Sequence, residues 1–252
     1  MVVVMEKLYN KSELLFSLVM IAVYVAGSGL SDALSELIGV PKSATFLFHV
    51  AFSAVLLIWL KKNGLFGKYG LCRMSSKASR FLFFIPLAVA SSTNLWFGLK
   101  LNMPLTESLL FAGSMLFVGF LEEIIFRGLL FRAMAKGGIR SAVIVSSVTF
   151  GTGHIVNLFN GSGMDLAENL CQVVYAVAFG FVFVLIFHKG GSLIPCILSH
   201  SAVNVLSVFA DADDVGKWTN MGITVILCVF VFAYCAVIFR LAGQVKDDQD
   251  RA

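Results

Sequence analysis

Two adjacent carboxylates, Glu122 and Glu123, stand in the middle of an otherwise apolar, helix-length segment running from Ser108 to Ala135, with Arg127 one helical turn beyond Glu123. Ionisable side chains cost several kcal/mol in hydrocarbon, so a carboxylate pair and an arginine at that depth point to a functional site. On a helix Glu123 and Arg127 are i,i+4 and share a face, whereas Glu122 is rotated by about 100°. The arginine can neutralise only one carboxylate well, which leaves Glu122 to serve as a base. A lone Glu/Arg pair would read equally well as a structural salt bridge. The second carboxylate weighs against that.

Two further pairs recur at helical spacing. Phe150 and His154 are one turn apart in Phe-Gly-Thr-Gly-His, and His200 and Asn204 are one turn apart in His-Ser-Ala-Val-Asn. Gly151 and Gly153 remove bulk where another helix or a substrate must come close. Each pair alone fits an interior histidine or an interhelical hydrogen bond. Depth changes that reading. Glu122 and His154 each lie about 13 residues from the cytoplasmic ends of their segments and His200 and Asn204 about 8 and 12, so at 1.5 Å per residue all sit ~12–20 Å below one face. A carboxylate base, a histidine sharing its water and two side-chain donors for an oxyanion are what metal-free amide hydrolysis requires.

The elements that must hold these residues are membrane helices. Hydrophobic residues make up 58% of the 252, charged residues 13%, and mean hydropathy is +0.89, against roughly 25% charged residues in soluble domains. Eight apolar segments stand out, at 14–30, 43–60, 81–99, 107–135, 141–159, 170–188, 192–209 and 219–239. The predicted fold is therefore an all-α integral membrane protein of about eight transmembrane helices, one multi-pass domain over 1–252 with no room for a second, water-soluble one.

The 61–80 linker carries Lys61, Lys62, Lys68, Arg73, Lys77 and Arg80 and no acid, which predicts that it is cytoplasmic. By parity both termini, Lys136, Arg140, Lys189 and Arg240 fall inside, and Asp165, Glu168, Asp211, Asp213 and Asp214 outside. Lys42, Lys100 and Lys217 break the pattern. The net charge of +4 is on this reading an orientation signal, and no aromatic-interleaved basic patch suggests nucleic acid. The first apolar run, preceded by Lys7 and Lys11 and ended by Ala26-Gly-Ser-Gly29, also fits a signal peptide, although ~17 apolar residues exceed the usual apolar core of one. Cys72, Cys171, Cys196, Cys228 and Cys235 are an odd set placed mainly in apolar segments and read as unpaired small hydrophobes.

At these residues the chain resembles the CPBP intramembrane endopeptidases, also called the Abi or type II CAAX-protease-like family. That family's pattern is Glu-Glu-x-x-x-Arg, Phe-x-x-x-His and His-x-x-x-Asn on separate transmembrane helices, all present here in order. The resemblance covers a catalytic core at 108–209. It implies a bundled, conical helical core and a glutamate-dependent, cofactor-free and metal-free endopeptidase. Glu122 with His154 would activate water, His200 and Asn204 would stabilise the oxyanion, and Glu123, Arg127 and Phe150 would shape the site. The substrate implied is a membrane-associated peptide or protein: a prenylated CAAX tail, or a bacteriocin- or pheromone-like peptide as in bacterial relatives. Short loops tilt the reading towards a prokaryotic cell membrane.

Rival readings remain. A zinc site of Glu122, Glu123, His154 and His200 is chemically possible, although His-Glu-x-x-His is absent. In Gly161-Ser162-Gly163-Met164 the aspartate of an intramembrane aspartyl protease is also missing. Outside enzymology, a bacteriocin self-immunity protein that binds without cutting, or a proton-coupled transporter, would also bury such residues.

Overall fold

The computed structural model describes residues 2–74, 84–159, 163–211 and 215–249, with the side chains of residues 2, 85, 86 and 239–249 outside that description. Lys77, Arg80, Phe81, Gly161, Ser162, Asp213 and Asp214, all used in the sequence reading, fall outside the described residues, as does the side chain of Arg240. The architecture is helical. Among the described residues the one β-type contact is an isolated bridge between Leu99 and Ala210.

The helices are α1 (Val2–Lys11), α2 (Glu13–Ile38), α3 (Ser43–Lys62), α4 (Ile85–Ser91), α5 (Leu105–Glu122), α6 (Arg132–Ala135), α7 (Ile139–Gly153), α8 (Leu166–Gly190), α9 (Ile194–Phe209) and α10 (Lys217–Gln249). Local sequence explains their ends. Ser12 caps α2, its Oγ accepting from the Leu15 amide at 3.2 Å, and Gly39 closes the helix in the left-handed conformation. Asp165 and Glu168 form a reciprocal capping box at the start of α8, which satisfies amides that would otherwise lack partners.

Six of these helices are long and apolar enough to cross a membrane: Glu13–Ile38, Ser43–Lys62, Leu105–Ala135, Ile139–Leu158, Leu166–Gly190 and Lys217–Ile238. Among the described residues six helices thus have spanning length, and the expected count of eight is not confirmed. The segment expected to span at 192–209 is α9, of 16 residues. The segment at 81–99 holds, in its described part, only the seven-residue α4 and a 3-10 turn at Thr93–Leu95. The chain nevertheless passes from one end of α9 to the other between Cys72 and Lys100. Ser192 Oγ donates to the Cys72 carbonyl at one end, and the Lys100 amide donates to the Phe209 carbonyl at the other.

The long Leu105–Ala135 element is not uniform. Between α5 and α6, Glu123–Phe131 is a π-helix, whose i→i+5 bonding takes one more residue per turn and recurs at functional sites. The extra width is supported from outside, because Ser146 Oγ of α7 donates to the Phe126 carbonyl at 2.8 Å. Every residue of this π-helix is buried. All five cysteines are unpaired.

Candidate active site

α5 and α9 touch at a position where only glycine fits. A Cβ on Gly119 would lie 2.6 Å from the Ser201 backbone nitrogen. The bare backbone lets α9 settle against α5, and Ser201 Oγ fastens the contact by donating to the Leu116 carbonyl at 2.9 Å. One turn past Gly119 come the paired glutamates, and one residue before Ser201 comes His200. Close helix approach is thus what brings the imidazole to the carboxylates.

His200 sits between the two acids. Its Nδ1 is 2.8 Å from Glu123 Oε1 and its Nε2 is 3.4 Å from Glu122 Oε2. A carboxylate paired with arginine accepts only, so Nδ1 is the donor to Glu123. Glu123 and Arg127 are 0% exposed, with Nη1 3.0 Å from Oε1. That short contact is a charge contact more than an aligned hydrogen bond: Glu123 Oε2 and all three guanidinium nitrogens have no hydrogen bond among the described residues. The guanidinium lies 3.8 Å above the Phe150 ring and 5.5 Å from that of Phe183, a cation–π arrangement that suits a planar, weakly hydrated cation.

Phe150 is the hub of the remaining contacts. Its ring also meets His154 edge-on at 5.2 Å and His200 at 5.7 Å. His154 begins a 3-10 turn, His154–Leu158, at the end of α7. Its Nδ1 lies 3.2 Å from the Phe150 carbonyl. A carbonyl cannot donate, so the proton resides on Nδ1 and the Nε2 lone pair is left for a solvent or substrate proton. The Asn169 side-chain amide of α8 holds the His154 carbonyl at 2.9 Å. Gly151 meets the α8 backbone closely, as its spacing suggested, since a Cβ there would be 2.8 Å from the Val177 nitrogen; Gly153 has nothing within 4 Å.

The arrangement separates the glutamates chemically. Glu123 is sealed against Arg127. Glu122, with its side chain 12% exposed, accepts a hydrogen bond from the Tyr24 hydroxyl at 2.8 Å and faces His200 with its other oxygen. Asn204 lies one turn beyond His200 on α9, half-buried, and its carboxamide makes no hydrogen bond with the described residues. The structure thus joins Glu122, Glu123, Arg127 and His200 directly and links His154 to them through Phe150. No hydrogen bond joins the Asn204 side chain to them among the described residues.

Sequence reading missed Tyr24. Its signal was depth: about 11 residues into α2, at 1.5 Å each, it lies ~16 Å from the helix start, the depth inferred for Glu122. Its position also makes α2 part of the folded site. Also unforeseen is His49 of α3, bonded to Ser28 at 3.0 Å and Ser114 at 2.9 Å and stacked obliquely near Tyr24. Among the described residues no group of three or more His, Cys, Asp or Glu side chains is placed to hold a metal ion.

No curated protein and no solved structure matches this chain. Residues 104–206 match the family model described as type II CAAX prenyl endopeptidase Rce1-like, a segment that holds all three motifs and covers under half of the chain. Apolar helices of spanning length and a match to a membrane protease family agree with one another. Over residues 104–206, then, the chain is similar to the type II CAAX prenyl endopeptidase Rce1-like family.

Proposed function

We propose that the protein is an intramembrane glutamate-dependent endopeptidase that cleaves a membrane-associated peptide, either a prenylated CAAX-type tail or an unprenylated bacteriocin- or pheromone-like peptide. The observation that carries this is the division of labour between neighbouring carboxylates: Glu123 buried against Arg127, Glu122 held by Tyr24 and His200 at the edge of the buried cluster. Glu122 is the base. It takes a proton from water as the water oxygen bonds to the carbonyl carbon of the substrate, with the His154 Nε2 lone pair orienting that water. The carbonyl oxygen becomes an oxyanion and accepts hydrogen bonds from His200 and the Asn204 carboxamide. Collapse breaks the C–N bond, and the proton held between Glu122 and His200 passes to the leaving amine.

The test is Glu122→Gln in purified protein and in cells. Gln keeps volume and hydrogen bonding but accepts no proton, so turnover of prenylated and unprenylated reporter peptides should vanish while the helix content and unfolding temperature hold. Comparing membrane proteome and secreted peptides of deletion and Glu122→Ala strains identifies the substrate class. Normal proteolysis by Glu122→Gln ends the assignment, and a purely binding immunity protein would be indifferent to it. Metal independence is tested separately: exhaustive 1,10-phenanthroline should leave activity intact, whereas loss restored by one equivalent of zinc would convert the site to a metalloprotease.

The orientation follows from charge. We place the 61–80 linker and both termini in the cytoplasm, and labelling of a single cysteine at position 68 from outside an intact cell would reverse it.

A further inference from the structure

At the end of the bundle where α2 begins and α6 ends, far from the paired glutamates along the helix axis, there is an open cleft of about 390 Å³. It is lined by Gly67, Lys68, Arg132, Ala135 and Lys136: three cations and no acid. Glu13 stands behind the two lysines, with Oε1 2.7 Å from Lys68 Nζ and 2.8 Å from Lys136 Nζ. One carboxylate against three cations leaves the cleft with a surplus of positive charge.

Arg132 makes the surplus specific. Its guanidinium is 4.5 Å from the Phe187 ring, which fixes its plane. It has no carboxylate partner among the described residues, and its buried Nε has no hydrogen bond. Lys68 is held charged. Burial lowers its pKa, but hydrogen bonds to Glu13 and Tyr9 and their charges outweigh this and raise it above the ordinary lysine value. A planar guanidinium fork beside two ammonium groups suits an anion with several oxygens around one centre.

We propose that this cleft is a binding site for a phosphate-bearing anion, with Arg132, Lys68 and Lys136 as its ligands. A cation cluster where transmembrane helices end lies at headgroup height, and basic pockets between helices bind anionic lipid headgroups; free phosphate shares the same chemistry. The site rests on no part of the proteolytic reading and would stand if that reading failed.

Two arms tell the sources apart. In the first, native mass spectrometry of the full-length protein from mixed micelles doped equally with phosphatidylglycerol and phosphatidylcholine measures lipid retention. In the second, the thermal shift on adding inorganic phosphate is compared with chloride at matched ionic strength. At least one arm should be positive in the parent protein, and each of Arg132→Gln and Lys136→Gln should weaken it about fivefold, the effect of one interfacial cation. Lys62→Gln, which removes an exposed charge outside the cleft, should change nothing. A phosphatidylglycerol-only signal assigns a lipid, and a phosphate shift assigns a free anion. Phosphatidylglycerol retained no better than phosphatidylcholine together with no phosphate shift overturns the proposal, as does binding that both variants leave intact. Lys136 is 63% exposed, so its variant keeps the test decisive if Arg132→Gln does not fold.

Discussion

Two polar clusters lie inside this helix bundle, one on α2 and α3 and one where α5 meets α9. In the first, Asp32 Oδ1 accepts from Lys42 at 2.7 Å and Thr45 at 2.6 Å, Ser35 bonds Thr45, and His49 uses both ring nitrogens on Ser28 and Ser114. Among these residues no buried side-chain nitrogen or oxygen lacks a partner, although Ser53 Oγ, one turn beyond His49 on α3, has none among the described residues. In the second, Glu123 Oε2 and three guanidinium nitrogens of Arg127 lack hydrogen bonds among the described residues, and the Asn204 carboxamide makes none. A saturated network holds helices together and has nothing left to offer a third party. An unsaturated one keeps capacity for water or substrate.

If that contrast is right, substitutions in the second cluster change catalysis or leave a buried charge bare, and those in the first change stability alone. The largest effect in the folded protein is expected from Glu123→Gln, which strands a fully buried arginine. Equilibrium unfolding in detergent should show a loss of about 3–5 kcal/mol, and a stability equal to that of the parent would break the contrast at its centre. Next comes Asn204→Ala. Its donor matters most in the transition state, so kcat should fall ~100–1,000-fold with little change in KM; a KM effect alone would make Asn204 a binding residue.

Tyr24 and His49 are neighbours that belong to different clusters, and they sharpen the boundary between them. Tyr24→Phe removes a hydrogen bond to a carboxylate, worth about 1.5–3 kcal/mol, and should appear in the pH profile of kcat because Glu122 loses its donor. His49→Leu leaves two serine hydroxyls unpaired and should lower stability by about 1–3 kcal/mol while kcat and its pH profile stay as in the parent. If His49→Leu moved the pH profile instead, the two clusters would be a single functional unit.

The motif residues were legible because each is an ionisable or amide side chain in an apolar run, where no bland explanation fits three times over. Tyr24 was not. A phenol is amphipathic enough to sit in any span, so its type carried little information and its depth was the only signal. The π-helix left no trace in the sequence either, since Glu-Ile-Ile-Phe-Arg-Gly-Leu-Leu-Phe reads as ordinary α-helix and the wider turn depends on tertiary contacts such as Ser146. The 81–99 segment, whose first residues lie outside the described ones, holds no long helix in its described part. Its hydropathy favours a span, but Ser91-Ser-Thr-Asn94 offers local side-chain bonds that compete with a helix, and Ser91, Ser92 and Thr93 indeed donate to carbonyls three or four residues back. α1 escaped notice because a ten-residue helix is too short to announce itself by period.

The π-helix between Glu123 and Phe131 has a consequence for how such a gene can change. Its wider turns absorb an extra residue, so a single-codon deletion there would let the segment relax to α-helix without adding a charge or shortening the apolar run below what a bilayer needs. The protein would still insert, and because the lost residue is the one the wider turns had absorbed, side chains beyond the segment would keep their register while those inside it would be re-aimed. One lost codon is then enough to re-aim the buried side chains around Glu123 and Arg127 while the rest of the helix stays in place.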